Sequence, residues 1–488
     1  MSENKKKAID EVDERGVLDG KSVSRRDFLK IAGIAGATIG VGAGLGGLVA
    51  ACGGTTTTTG APTTTAATTA TTAAQGSTTT VAAGPTVGKE LKVGFVTPLT
   101  GAMAAFGIPD KYSVDRVKAA IGDGIIGADG QKHPVTIITT DSQSDSNRAA
   151  QVAGDLISNN KVDLLTAAST ADVVCPVADQ AEANSVPCIS TDCPWQNYVA
   201  TRAKGDLTAT FQWTYNAFWG VEDVVATYVD MWNQVPNNKK VGVILGNNAP
   251  GNAWLPVWKE AMPLIGLTGT FPSQYQPGTE DFTSYISQFK KDGCEVGLGM
   301  FSPPDFATFW KQSAQQGWKP KTAAFAIGLL FPQAVEAVGD LSINLCTEVQ
   351  WTPSFGFTSA LLNEDTQTFA DKFTAATNGQ WTQPLAHFIV LEWAVDVLKR
   401  AATLDNKGIL DAITTTKLDT IVGPIDFTAP IVGGNKIGPM HNHKNNYKTP
   451  MVGGQWRKGT KWPYDLTIVS NVAAPSIKTQ DKVLPLNA

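Results

Sequence analysis

The chain has 488 residues, 42% of them hydrophobic, with 39 Lys and Arg against 44 Asp and Glu, a formal net charge of −5. The 400 residues from Lys89 on exceed what one hydrophobic core organises and suit two lobes, and their mildly acidic balance without a basic run excludes the footprint of a nucleic-acid binder. Six cysteines without a C-x-x-C, and only four scattered histidines, argue against a zinc cluster.

The first informative stretch is SRRDFLKIAGIAGATIGVGAGLGGLVAAC, residues 24–52. Gly42, Gly44 and Gly47 spell G-x-G-x-x-G, but a dinucleotide turn must follow a buried strand, and residues 1–30 are charged and polar. GVLDGKS, Gly16 to Ser22, has three residues between its glycines where a phosphate loop needs four. Ser24 to Lys30 resembles the twin-arginine export signal, S-R-R-x-F-L-K. Ile31 to Ala51 carries no charge and is long enough to span a membrane, so a retained anchor is the alternative. Val49-Ala50-Ala51-Cys52 is similar to a lipobox. That resemblance implies a signal peptide over 1–51 and lipidation of Cys52, which becomes the new N-terminus. The twin-arginine translocase and the lipoprotein-processing enzymes are the partners it implies, with the membrane contacted through the lipid alone.

Residues 53–88 hold sixteen threonines and no charge or aromatic ring, so they cannot bury enough apolar surface to offset their ordering entropy. From the lipidated Cys52 to residue 88 the sequence reads as a disordered tether, about 35 Å across as a coil.

From Lys89 on, strands and helices alternate. LKVGFVT (91–97), PVTIITT (134–140), VDLLTAA (162–168) and PCIST (187–191) read as strands separated by helical patterns near 108–122, over NRAAQVAGDLIS, and near 171–184. A second series follows residue 214: a helix near 218–233, the strand KKVGVIL, a helix from about 252, the helix DFTSYISQFKKDG, the strand EVGLGMF and the helix PDFATFWKQSAQQG. Two such series predict two α/β lobes, each a doubly wound parallel sheet covered on both faces. In the C-terminal third the alternation breaks. Phe388, Leu391, Val395 and Leu398 share one helical face of HFIVLEWAVDVLKRA, and Gly, Pro and short strands follow residue 420. The expected boundaries are lobe one over about 89–213 and 352–430, and lobe two over about 214–351 and 431–470. His441 and His443, in a Gly/Asn-rich loop, read as solvated polar residues. With Cys52 lipidated, Cys175, Cys188, Cys193, Cys294 and Cys346 remain, so at least one is unpaired within the chain. Twin-arginine export carries proteins folded in a reducing cytoplasm, so the fold should not depend on disulfides.

From residue 91 the chain resembles the extracytoplasmic binding proteins of ABC importers, in the branched-chain amino acid, type I class. The residues that carry this are KVGFVTPLTGAMAAFG, DSQSDSNRAAQVAGDLI, VGVILGNNAPGNAW and DFTSYISQFKKDGCEVGLGMFSPPDFATFW, four motifs in family order. The resemblance implies two lobes joined by three crossings that close over a small solute, then dock on a membrane permease served by a cytoplasmic ATPase. It implies no cofactor, no metal and no catalytic residue.

Ligands of open parallel sheets lie beyond the carboxyl ends of the strands, where helix N-termini point unpaired N–H groups. Ser169 and Thr170 fall there, and the resemblance implies that they hold a ligand carboxylate; the alternative is that they only cap their own helix. The next strand end is STDCPW, with Ser190, Asp192 and Trp195, where the family usually carries small residues. Trp213, Tyr215, Phe301 and Trp351 fall near strand ends or crossings. Each alone reads as ordinary core; as a group with Trp195 they point to a large, flat or cationic ligand. Asp305 and Glu348 are candidates for the acidic partner of a ligand amino group. A solute receptor is the leading reading, a ligand sensor on the same fold the second. An exported enzyme is the remote third, since no G-x-S-x-G or H-E-x-x-H occurs.

Overall fold

The structure is a computed structural model and describes residues 84–486 apart from residue 435. The twin-arginine motif, the apolar stretch, Cys52 and nearly all of the threonine-rich segment lie outside the described residues.

Two seven-stranded sheets organise the chain. The first runs, from edge to edge, His441–His443, Asn446–Tyr447, Thr214–Ala217, Cys188–Ser190, Leu164–Ala167, Leu91–Thr97 and Val135–Asp141. Its neighbours are parallel except for the outermost pair, His441–His443 with Asn446–Tyr447. The second runs Tyr464–Ser470, Val452–Lys458, Cys346–Val349, Thr322–Ala326, Val296–Met300, Lys240–Leu245 and Thr268–Thr270, with its first two pairings antiparallel and the rest parallel. Central strands such as Leu164–Ala167 and Val296–Met300 are buried throughout, because helices cover both faces and neither alternates with solvent. Gly94 shows how closely they pack: a β-carbon there would lie 2.9 Å from both Leu156 and Leu165.

In lobe one, helix Phe388–Arg400 lies on one face of the sheet, and Phe388, Leu391, Val395 and Leu398 all reach its core. Helices Ser146–Ser158, Ala171–Ala183 and Trp195–Arg202 cover the other face. Lobe two has the same two-faced core, built around Trp232, Trp254 and Trp258 on one side and Phe282, Phe289, Phe309 and Phe325 on the other.

Three details correct the sequence reading. Strand Thr214–Ala217 pairs in parallel with Cys188–Ser190, so the first crossing follows Ala217 and does not fall at 213. The short strands at 441–447 also join the first sheet, so lobe one returns well beyond residue 430, and lobe two buries Ala474, Ile477 and Val483 beyond 470. Alternation locates strands but does not say which sheet each completes. Finally, His441 and His443 are buried and bonded. His441 Nδ1 lies 3.0 Å from Ala429 O, and His443 Nε2 3.0 Å from Ala209 O. Burial pushes the His443 imidazole down to about 4, so it is neutral; its Nδ1 accepts from the Asn445 amide.

Cys175, Cys188, Cys193, Cys294 and Cys346 are all free and buried. Among the described residues no helix is long and apolar enough to cross a membrane.

Candidate functional site

Between the lobes lies a narrow cavity of ≈ 40 Å³, and a wider mouth of ≈ 370 Å³ that shares Thr170 with it. The cavity is lined from the carboxyl ends of strands in both lobes, the place where open α/β sheets bind ligands. Lobe one contributes Phe106, Thr170, Ala171, Asp192 and Asn197; lobe two contributes Trp254, Met300, Ile327, Leu330 and Glu348. Phe218 and Trp219 enter from the first crossing and Gln350 from the second. Phe106 sits on a single helical turn, Ala104–Gly107, in the loop LTGAMAAFG. A β-carbon on Gly107 would lie 2.5 Å from Pro98 O, so the turn that presents Phe106 requires glycine. The Phe106 ring then meets Phe331 of lobe two edge-on at 4.9 Å, an apolar contact between the lobes.

Ser169 has φ of 105°, a left-handed conformation uncommon outside glycine. Thr170 stands at the N-cap position of helix Ala171–Ala183 but makes no side-chain cap bond. Both hydroxyls are buried and without a hydrogen-bond partner, and Thr170 faces the cavity. The capping alternative therefore does not describe what the Thr170 hydroxyl does.

Asp192 is held from two sides: Gln350 Nε2 donates to Oδ1 at 2.8 Å and His387 Nε2 to Oδ2 at 2.7 Å. The other ring nitrogen of His387 donates to Asp110 Oδ1 at 2.8 Å, and Thr97 Oγ1 donates to Asp110 Oδ2 at 2.5 Å. Burial alone would push the imidazole down, but the flanking carboxylates of Asp110 and Asp192 outweigh it and raise His387 to about 10. It is an imidazolium at neutral pH.

Glu348, from lobe two, accepts hydrogen bonds from Tyr228 OH and from the Ile327 amide, the latter at 3.2 Å. Burial pushes its carboxyl up, and the Tyr228 bond opposes this. At the mouth stand Asp145, Asp172 and Asp305. Burial, then the nearby Asp145, raise Asp172 to about 6. Asp305 Oδ1 accepts from the Gly278 amide at 3.0 Å. Among the described residues, cavity and mouth together are lined by five acids and by no Lys, Arg or His.

Of the residues singled out from sequence, Thr170, Asp192 and Glu348 line the cavity and Asp305 lines the mouth. The rest lie elsewhere. Ser190 Oγ bonds Asn216 Oδ1 at 3.0 Å within the first sheet. Trp195 packs on the lobe-one core, and its Nε1 donates to Glu222. Trp213 and Tyr215 pack in lobe one, Tyr215 edge-on to Phe427 at 5.7 Å. Trp351 is fully buried in the same core and donates to Ile421 O. Phe301 stacks on Phe309 at 4.9 Å inside lobe two. The aromatic lining comes instead from Phe106, Phe218, Trp219 and Trp254. The signal was one of position: these rings follow their strands in the chain, where the ligand side of such a sheet lies.

Two lobes of this kind, with a cavity at the facing strand ends, define a two-lobed α/β binding fold. The chain belongs to the periplasmic binding protein family, whose model matches residues 90–441. Among named relatives it is similar to Leu/Ile/Val-binding protein homolog 3 of Brucella melitensis, 26% identical over 227 residues, covering 44% of this chain and 57% of that one. It is also similar to homolog 8 of the same organism, 21% identical over 381 residues, covering 76% of this chain and 89% of that one. Among solved structures the leucine binding protein LivK of Thermotoga maritima superposes with a TM-score of 0.63 at 16% identity, covering 78% of this chain and 99% of that one. The fold is thus the type I periplasmic binding protein fold.

Proposed function

We propose that this protein is an extracytoplasmic receptor for a small organic solute, amino-acid-like or related and aromatic or cationic, which it delivers to an ABC permease. The observation that carries this is the interlobe cavity, where the buried hydroxyl of Thr170 and the carboxylates of Asp192 and Glu348 converge among aromatic rings. Apolar walls with a few placed polar groups are what small-molecule sites are made of. Thr170, Asp192 and Glu348 are the proposed polar contacts, with Ser169 behind Thr170. The sequence around Cys52 supports attachment to the outer face of the cytoplasmic membrane by a lipidated N-terminus, after twin-arginine export. Such a tether holds the receptor near its permease and raises its effective concentration there.

A thermal-shift screen of the purified protein against amino acids, amides, aromatic acids and alkylated amines tests the binding claim. A solute at 100 times its dissociation constant stabilises by about 2.7 kcal/mol, a shift easily read. Failure of every solute class to stabilise the protein would count against a receptor. Fractionation tests the anchor: Cys52→Ala should move the protein from membrane to soluble fractions.

A further inference from the structure

We propose that the solute is a quaternary ammonium ion, caged by Trp219, Trp254, Phe218 and Phe106 and balanced by Glu348 and Asp192; this rests on the receptor reading above. The four rings come from both lobes and the first crossing, so the cage is complete only where the lobes meet. Phe218 and Trp219 stand together, centroids 4.3 Å apart. Trp254 packs edge-on to Tyr228 at 6.5 Å, and the Tyr228 hydroxyl holds Glu348. The ring cluster thereby fixes a carboxylate beside the aromatic faces, the combination that attracts a cation through both quadrupole and charge.

Charge decides the sign of the ligand. Among the described residues no Lys, Arg or His lines the cavity or its mouth, while five acids do. Behind Asp192, the His387 imidazolium is shared between Asp110 and Asp192 and leaves that group with a net negative charge.

Hydrogen-bond capacity and the aromatic walls together favour one kind of cation. A primary ammonium brings three N–H donors that each need an acceptor when buried. Glu348 already accepts from Tyr228, Thr347 and Ile327, and Asp192 from Gln350 and His387, which leaves about one acceptor position on the first and two on the second. A quaternary ammonium donates none and gives up its water at lower cost, so aromatic walls suit it better. Among the described residues that line the cavity, the buried side-chain polar groups without a partner are Thr170 Oγ1 and Trp219 Nε1. Both can donate to an oxygen at the other end of the ligand.

Choline, ethanolamine and leucine separate these possibilities by calorimetry on the full chain purified in detergent. Choline should bind at least about 10-fold more tightly than either of the others. Trp219→Leu keeps apolar bulk but removes the π face and should weaken choline by about 10- to 30-fold; Phe106→Leu serves as the second variant should the first fail to fold. Glu348→Gln should weaken choline by about 10-fold or more. Choline that binds no better than ethanolamine or leucine, or not at all, overturns the inference. Tight leucine binding in that case leaves the receptor standing, whereas a chain that binds no solute in the wider screen loses both.

Discussion

His387 Nε2 lies 2.7 Å from Asp192 Oδ2, so the carboxylate that lines the interlobe cavity is oriented by a buried imidazolium. The same ring reaches Asp110 on its other side, and the three side chains are fully or nearly fully buried. Removing the imidazolium would leave two carboxylates without their counter-charge. His387→Gln should therefore destabilise the protein by about 3–5 kcal/mol, measured by chemical denaturation.

The pH dependence has a definite sign. His387 is raised from 6.5 to about 10 on folding, so its contribution is complete below pH 6.5 and lost as pH climbs toward 10. Glu392, raised from 4.5 to about 8 chiefly by burial, acts in the same direction: its contribution is full below pH 4.5 and lost by about 8. Stability should fall through the alkaline range, and His387→Gln should flatten the slope between pH 8 and 10. A wild-type protein that gains stability over that interval would contradict the assignment.

Thr170 carries a hydroxyl that does no structural bonding, since it neither caps its helix nor finds another partner. Thr170→Val keeps the shape and should leave the melting temperature unchanged or slightly higher. Affinity for a solute identified by screening should fall by about 10-fold, the worth of a hydrogen bond to a ligand. A lower melting temperature with unchanged affinity would make the residue structural.

Lys448 ties the crossings together. It lies in the third crossing, and its Nζ donates to Glu222 and Asp223, each at 2.8 Å, at the start of the helix that follows the first. All three side chains are buried, with exposures of 0%, 0% and 2%. Lys448→Met should cost about 3–5 kcal/mol by stranding two carboxylates. Adding Glu222→Gln and Asp223→Asn should recover part of that loss, because the uncompensated charge is then gone.

The five described cysteines are buried and unpaired, and burial pushes the thiols of Cys188 and Cys346 up to about 12. Thiols so far from ionisation are inert at neutral pH. Melting in the presence and absence of dithiothreitol should give the same temperature.

The fold was legible where burial on both faces leaves a mark in the chain. Strands such as LKVGFVT and EVGLGMF are mostly apolar, without a polar alternation, because helices cover both sides, and the face of Phe388, Leu391, Val395 and Leu398 meets the core. Sheet membership was not legible. His441–His443 pairs beside Asn446–Tyr447 through backbone bonds and buried polar side chains, which carry no apolar period. In the site, Thr170 and Asp192 follow from the rule that ligands meet strand ends, and they line the cavity. The aromatic residues did not follow, because Trp351 and Trp219 both lie near crossings and only packing distinguishes them. Trp351 turns into the lobe-one core, while Trp219 turns toward the cleft.

Calorimetry of the double variant Thr170→Val/Glu348→Gln, against the solute that stabilises the wild-type protein most, tests the interlobe site most directly. The two groups face one cavity from opposite lobes, so the account predicts an affinity loss of about 100-fold with the fold intact. A folded double variant that binds with wild-type affinity would place the binding site elsewhere on the molecule.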